Sequence, residues 1–569
     1  MKHVELKFED YKFVVPSEKS LSKKLGTLVE ELKNAKDLKT ALPIIKKWNK
    51  ALIDIYTNMS VIYVKYSCDT TNPTYQKAQD KVDEVSPILS KFANDYMKIV
   101  TAAPYRADLE KLYGPYLLKM YDYQLKAFDE KIIPELIEEN KLSSQYDKIR
   151  GGAKIEFRGE TYNLSQMGKF TTDKDRNTRK EAAIACDKWW GEHEAEIGEL
   201  YDKLVHLRNE MAKKLGFENY IDLGYLKLGR TDYDSKLVAG YRKQIAEEVV
   251  PFAQKLYKDQ MKKLGIRKPQ YYDYNLVFAS GNPKPAGDEA YLVGVAKKMY
   301  EDLGKEGGEF FNYMTRNQLM DLTARSGKAP GGYCTTFAKY GAPFIFSNFN
   351  GTEGDVNVLT HEGGHAFQAY LSSAIKVPEY QSPTLEACEI HSMSMEFFAY
   401  PYLEGFFGKD AEKYKYSHIT DAIKFLPYGI TIDEFQHWVY ANPNATHEER
   451  CAKYKEIENR YTPHKKYDDC PTLAKGGWWM KQGHIFGSPF YYIDYTLAQV
   501  VAFQFAAEMN KNHERAWKKY VKLCKFGGKA PFQTLLKENK LRNPFEDGNV
   551  KKAITPLKKL LKSVNVTEW

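Results

Sequence analysis

The sequence predicts a mainly α protein with a small β-sheet beside one buried, histidine-bearing helix. Three observations carry this. Apolar residues recur at helical spacing over most of the chain, as in Leu21, Leu25, Leu28, Val29 and Leu32. The period breaks at GKAPGGYCTTFAKYGAPFIFSNFNGTEGD, positions 327–355, where glycines, prolines and β-favouring aromatics take over. The chain's 569 residues also exceed what one hydrophobic core organises, so two or more lobes are expected.

In chain order, the amphipathic helices of the first two hundred residues are interrupted at CDTTNPT (68–74) and at IRGGAKIEFRGETYNLS (149–165). The second break contains the alternating KIEFRGETYNL, the pattern of a small hairpin. ASGNPKPAGD (279–288) reads as a further connection. Within 327–355, Gly332–Ala338 and Pro343–Phe349 read as two short strands around the turn KYGA. Pro343–Phe349 is expected at a sheet edge, where an extended peptide backbone can pair with it. Asn348 and Gly351 then either lie beside that peptide or serve only the turn. Thr352 followed by Asp355 reads as a capping box opening the next helix, and Ser382–Pro383 opens another that ends at Pro401. Near the C-terminus, VKKAITPLKKLLKSV carries Leu557, Leu560, Leu561 and Val564 at helical spacing, which predicts a surface helix docked by its apolar face.

Composition excludes several function classes. Lys+Arg 84 against Asp+Glu 75 leaves +9, but the lysines are dispersed, with no dense basic block interleaved with aromatics, so nucleic acid is not an expected partner. No run of 18 apolar residues predicts a membrane span. MKHVELKFEDYKF lacks the apolar core of a signal peptide, and the seven cysteines are scattered without a CxxC pair. A cytoplasmic protein with reduced thiols is expected. Tyrosine, at 42 copies against 29 phenylalanines, suits the lining of a wet channel, although compositional drift accounts for it equally well.

VLTHEGGHAFQAY, positions 358–370, is the informative stretch. It has the apolar positions of a buried helix, yet carries two histidines, a glutamate and two glycines. His361 and His365 lie one turn apart on one face, so both imidazoles can reach one ion. Glu362 is offset around the helix, close enough to serve as base for a water at the metal without ligating it. A random HExxH is expected on the order of once in a hundred chains of this size, and chance leaves the apolar setting unexplained. Gly363 and Gly364 permit another element to approach closely. A catalytic zinc takes three protein ligands and keeps one open position. The third is sought on SPTLEACEIHSMSMEFFAYP, positions 382–401, whose apolar interior is broken by Glu386, Glu389, His391 and Glu396. Glu386 in the first turn is explained by the helix dipole. Glu389, mid-helix and 24 residues after His365, is the expected ligand. Glu396 faces the same way two turns on; it either holds a ligand histidine or partners a lysine or tyrosine elsewhere. His391 points away and reads as a packed core residue.

THEGGHAF followed by EACEIHSMSMEFF resembles the M3 family of zinc oligopeptidases, in particular its oligoendopeptidase F and Pz-peptidase branch. DLTARSGKAPGGYCT, FIFSNFNGTEGDVNVL and WWMKQGHIFGSPFYYIDYTLAQ (478–499) fit the same branch, and the resemblance is strong over roughly residues 200–520. It implies a two-lobed helical metallopeptidase with a deep central channel, an N-terminal helical lobe over 1–195 and a catalytic lobe over 196–569. It further implies one zinc ion per chain on His361, His365 and Glu389, with Glu362 as general base. Short unstructured peptides are the implied substrates. A histidine and tyrosines of a later loop, matched here by His484, Tyr492 and Tyr495, are implied to support the substrate carbonyl. One residue fewer separates that histidine from the tyrosines than in other branches, with Pro489 in place of glycine and tyrosine, so Tyr491, Tyr492 and Tyr495 all stand as candidates for the oxyanion donor, with Tyr492, beside zinc and His484, the expected one. Gly483 and Gly487 are expected to leave this loop free to close on substrate. The expected activity is therefore that of a zinc-dependent endopeptidase. Two alternatives stand beside it: a carboxypeptidase or dipeptidyl carboxypeptidase of related architecture, and a non-catalytic, zinc-stabilised peptide-binding protein.

Overall fold

The computed structural model describes residues 3–567 and 569. Met1 and Lys2 of the N-terminal stretch lie outside the described residues. Helices dominate, and two large hydrophobic cores organise them. One is built by the first helices, Glu18–Lys33, Leu38–Cys68 and Pro73–Ala102. It buries Leu21, Leu25, Leu28, Val29 and Leu32, and Trp48 stacks on Tyr96 at 4.4 Å. The larger core runs from Tyr11 to Leu560 and takes in residues such as Tyr146, Trp189 and Trp190. Tyr380 joins the two: its ring belongs to the first core, and its hydroxyl accepts a hydrogen bond from the Leu117 amide at 2.9 Å. It stands in the turn between the HExxH helix and the helix carrying Glu389, so the N-terminal helices brace the connection between those two helices.

The hairpin expected at 155–162 is present as β1 (Ile155–Phe157) and β2 (Glu160–Tyr162), antiparallel. The second sheet has three strands. β4 (Tyr333–Phe337) and β5 (Ala342–Phe349) form the expected antiparallel pair, and β3 (Met320–Thr323), not expected, pairs parallel with β5 on its other side. The order β3-β5-β4 corrects the placement of Pro343–Phe349: it is the central strand, its backbone already paired on both sides, and β4 carries the edge nearer the HExxH helix. Asn348 is occupied as well, donating to the carbonyls of Ala329 (2.9 Å) and Gly331 (2.8 Å).

Other helix boundaries also differ from expectation. The HExxH helix, Glu353–Ser372, does start after Thr352, but no capping box forms. Asp355 instead accepts from the amides of Asn350 (2.9 Å) and Gly351 (2.8 Å), closing the preceding turn. The Glu389 helix begins at Leu385 rather than at Ser382–Pro383 and ends at Phe398. The C-terminal helix, Asn549–Ser563, docks as expected, burying Ala553, Ile554, Leu557 and Leu560. All seven cysteines are free. No helix among the described residues is long and apolar enough to cross a membrane.

Candidate metal centre and active site

The two glycines of the HExxH motif explain the geometry of the centre. A Cβ on Gly364 would lie 2.6 Å from the carbonyl oxygen of His391 and 2.7 Å from the Cα of Ser392, so the HExxH helix touches the backbone of the Glu389 helix there. A Cβ on Gly363 would lie 2.5 Å from the hydroxyl of Tyr300. The close crossing brings His361, His365 and Glu389 together, with one donor atom from each within 4.8 Å of the others. Glu389 Oε2 lies 3.3 Å from His361 Nε2 and 3.4 Å from His365 Nε2.

The surrounding hydrogen bonds set the donor atoms. His361 Nδ1–H donates to Glu396 Oε1 at 2.6 Å, which fixes the tautomer and leaves the Nε2 lone pair facing Glu389. The other oxygen of Glu396 accepts from His418 Nε2 at 2.6 Å, and the Tyr400 hydroxyl donates to His418 Nδ1 at 2.7 Å. Glu389 is held by Ser392 Oγ (2.9 Å to Oε2) and by the Tyr491 hydroxyl (2.7 Å to Oε1). An imidazole lone pair aimed at a carboxylate oxygen 3.3 Å away is repulsive unless a proton or a metal cation lies between them. Two nitrogens and one carboxylate oxygen suit zinc, so the residues present fit that ion.

The charges follow from burial and neighbours. Burial alone would raise the Glu389 carboxyl, but positive charge on the two imidazoles, the alternative to an ion between them, outweighs it and holds the group well below the usual carboxylate range. Burial raises the Glu362 carboxyl, with His361 and His365 opposing. Burial and then the Glu362 carboxylate push up the Cys334 thiol on β4, which places that strand beside the HExxH motif.

The later segment is not a loop throughout: Gly483–Gly487 is a short helix. The buried guanidinium of Arg208 donates to the carbonyls of Ile485 (3.0 Å) and Phe486, while Tyr146 stacks on Phe486 at 3.7 Å. Phe490 then takes a left-handed backbone (φ 67°), a conformation that costs about 1 kcal/mol or more in a non-glycine residue. It is held by the Gln436 side chain, which accepts from its amide at 2.8 Å, and by Arg230, which donates to its carbonyl at 2.6 Å. This bend delivers Tyr491 to Glu389 just before the helix Tyr492–Met509 begins.

His484 is half-buried, and desolvation lowers its pKa. Gln482 Nε2 donates to its Nδ1 at 2.6 Å, leaving the proton on Nε2, which faces the Tyr495 hydroxyl at 3.4 Å. Burial, then the Glu389 carboxylate, raise the Tyr495 phenol, and Glu362 contributes too, so Tyr495 lies within the field of the centre. Tyr492 meets His484 edge-on at 5.1 Å, but its ring packs against Phe425 and Tyr428, each at 5.6 Å, and its shift comes from burial and Tyr495 with no carboxylate of the centre. Tyr491, Tyr492 and Tyr495 thus have three different environments.

Two features differ from the sequence reading of the Glu389 helix. Glu386 stands in the first turn as expected but is also fully buried near the Arg230–Asp494 ion pair (2.7 Å), and burial, then Asp494, push its carboxyl up. His418 was missed altogether. It sits in the third turn of the helix Ala411–Ala441 among Lys413, Lys415, Ser417 and Asp421, so no break in an apolar pattern marked it; only its burial against Glu396 does. Because Glu396 orients His361 while held by His418, His418→Ala is expected to weaken zinc binding by about 10–100-fold, as loss of outer-sphere partners does. Competition with a chromophoric chelator measures this; an unchanged affinity would refute the role.

Comparison with known proteins identifies the family. Residues 8–128 match the peptidase M3 N-terminal domain and residues 306–553 match peptidase family M3. The solved structure of Pz peptidase A with an inhibitor is 45% identical, with 98% of this chain and 100% of that chain covered and a TM-score of 0.94. Two curated relatives described as oligoendopeptidase F homologs are each 23% identical. The one from Mycoplasma pneumoniae is matched over 42% of this chain and 40% of its own length, and the one from Mycoplasma genitalium over 59% and 60%. The aligned stretch thus spans less than two thirds of either curated relative. The near-complete match to the solved structure and the two family regions are decisive: the chain belongs to peptidase family M3.

Proposed function

We propose that this chain is a zinc-dependent endopeptidase that hydrolyses internal bonds of short, unstructured peptides. Membership of family M3 gives the class, a metallo-oligopeptidase of the hydrolases. The observation that carries the finer reading is a buried carboxylate, Glu362, set beside three converging zinc donors and not itself among them.

His361, His365 and Glu389 hold the ion, which supplies Lewis acidity to water and to the scissile carbonyl. Glu362 accepts a proton from the attacking water and delivers it to the nitrogen of the leaving amine. Glu396 keeps the His361 proton on Nδ1, and Tyr491 orients the Glu389 carboxylate. The His484 Nε2–H faces the Tyr495 oxygen, which leaves the Tyr495 proton for the substrate carbonyl oxygen as negative charge develops there. Tyr495 takes this role in preference to Tyr492, whose ring packs away from the donors. β4 pairs with no strand on its outer side, and that edge offers backbone pairing to an extended peptide, a mode of binding that tolerates many side chains. Seven free cysteines favour a reducing compartment, the cytoplasm.

Tyr495→Phe is expected to lower kcat by about 10²–10³, the cost of removing one oxyanion donor. Tyr492→Phe should leave kcat within a few-fold, and the reverse order in steady-state kinetics would reassign the donor. The reading as a whole is tested by digesting a pool of peptides with free and blocked termini and locating the cuts by mass spectrometry. Internal cuts, confined to short peptides and insensitive to blocking, are expected. Cuts that require a free C-terminus would make the protein an exopeptidase, and no cuts with zinc bound would make it a binding protein.

A further inference from the structure

A second cluster of metal-ligating side chains lies apart from the HExxH site. His447 and Cys451 stand four residues apart at the start of the helix His447–Tyr461, hence on one face, and Glu194 opens the helix Glu194–Lys214. One donor atom from each residue lies within 4.8 Å of the other two. His447 Nε2 is 3.0 Å from Glu194 Oε1 and 3.4 Å from Cys451 Sγ. We propose that Glu194, His447 and Cys451 form an ancillary site for a second, borderline-soft divalent cation of the zinc class.

The donor set selects the ion. One carboxylate, one imidazole and one thiolate carry two negative charges, matching a divalent cation. Nitrogen and sulfur donors favour zinc or cobalt over the oxygen-seeking magnesium and calcium. Cys451 is buried, but the side chains of Glu194 and His447 keep 18% and 21% of their exposure, so the site is reachable from solvent. Trp479 Nε1–H donates to Cys451 Sγ at 3.4 Å, a bond that strengthens as the sulfur gains charge. Lys475, on the surface, is 3.4 Å from Glu194 Oε2 and leaves Oε1 to the ion.

Binding releases the thiol proton to solvent and moves the imidazole proton from Nε2 to Nδ1. Nδ1 is buried, with no hydrogen-bond partner among the described residues, and a Cβ on Gly198 would lie 2.5 Å from it. That proton gains no acceptor, and only three side chains ligate, so the affinity should fall below that of a closed four-ligand zinc site. Trp479 also stacks on Phe486 at 6.1 Å, so the cluster abuts the segment that carries His484.

Cobalt titration of the metal-stripped full-length protein tests the site, because a thiolate ligand adds a sulfur-to-cobalt charge-transfer absorption that two histidines and a glutamate cannot produce. The wild type is expected to take two equivalents of Co²⁺ and show this absorption. Cys451→Ser should lose the absorption and one equivalent, whereas Glu389→Gln should lose the other equivalent and keep the absorption. A single equivalent without the absorption in the wild type, or an absorption that survives in Cys451→Ser, would overturn the proposal. Should Cys451→Ser fold poorly, His447→Gln is to give the same loss; retention of both equivalents and an unchanged absorption in that variant overturns the site equally.

Discussion

Glu362→Gln is expected to lower kcat by about 10²–10⁴, the usual contribution of a positioned proton-transfer group, while the protein keeps its zinc. Glutamine preserves the shape of the side chain and removes its capacity to take a proton from water. No neighbouring carboxylate can substitute. Glu389 is engaged by both imidazoles, Ser392 and Tyr491, and Glu396 by His361 and His418. Zinc content should hold because Glu362 is not one of the three converging donors. Stability should not fall either, since burial disfavours the ionised Glu362 carboxyl and the substitution removes that charge. Turnover, zinc content by elemental analysis and thermal unfolding of the same preparation check all three. A kcat within ten-fold of wild type would remove Glu362 from its role.

Gly364→Ala is expected to have the largest structural effect of any single methyl added to the centre. Alanine gains about 1 kcal/mol over glycine in a helix. Overpacking of a filled interior costs about 1–3 kcal/mol, and more where the obstacle is backbone. Here the new Cβ meets the His391 carbonyl oxygen at 2.6 Å and the Ser392 Cα at 2.7 Å, neither of which can rotate aside. The two helices must separate, which pulls His361 and His365 away from Glu389. Lower thermal stability and lower zinc content should therefore appear together. Gly363→Ala meets only the end of a side chain, the Tyr300 hydroxyl, although that ring is stacked on Phe311 at 4.9 Å. Its effect on zinc content should be smaller. A Gly364→Ala protein with wild-type unfolding temperature and full zinc would show that the helix crossing is not what sets the site.

Local pattern made much of this protein legible. Helical periodicity marked the face of Glu18–Lys33, alternation marked β1 and β2, and the change of period marked β4 and β5, because each element must present a repeating apolar face to whatever it packs on. The same reasoning read His361, His365 and Glu389 as polar residues inside apolar helices, and those three converge. β3 was not legible: four residues carry too little pattern, and the strand exists because β5 offers it a partner. The expected capping box failed because Asp355 had better donors in the turn before it.

The sequence by itself determined which chemistry is available: two imidazoles one turn apart, a carboxylate offset between them, a further carboxylate on a second apolar helix and a tyrosine-rich segment downstream. Only the tertiary structure decided which side chain does what. It tied His418 to Glu396 across 22 positions, gave Tyr491 to Glu389, Tyr495 to His484 and Tyr492 to Phe425 and Tyr428, and made Pro343–Phe349 a central strand. The physical reason is that residue type and spacing are local quantities, whereas the partner of a buried polar group is set by whichever distant element arrives beside it with a free donor or acceptor.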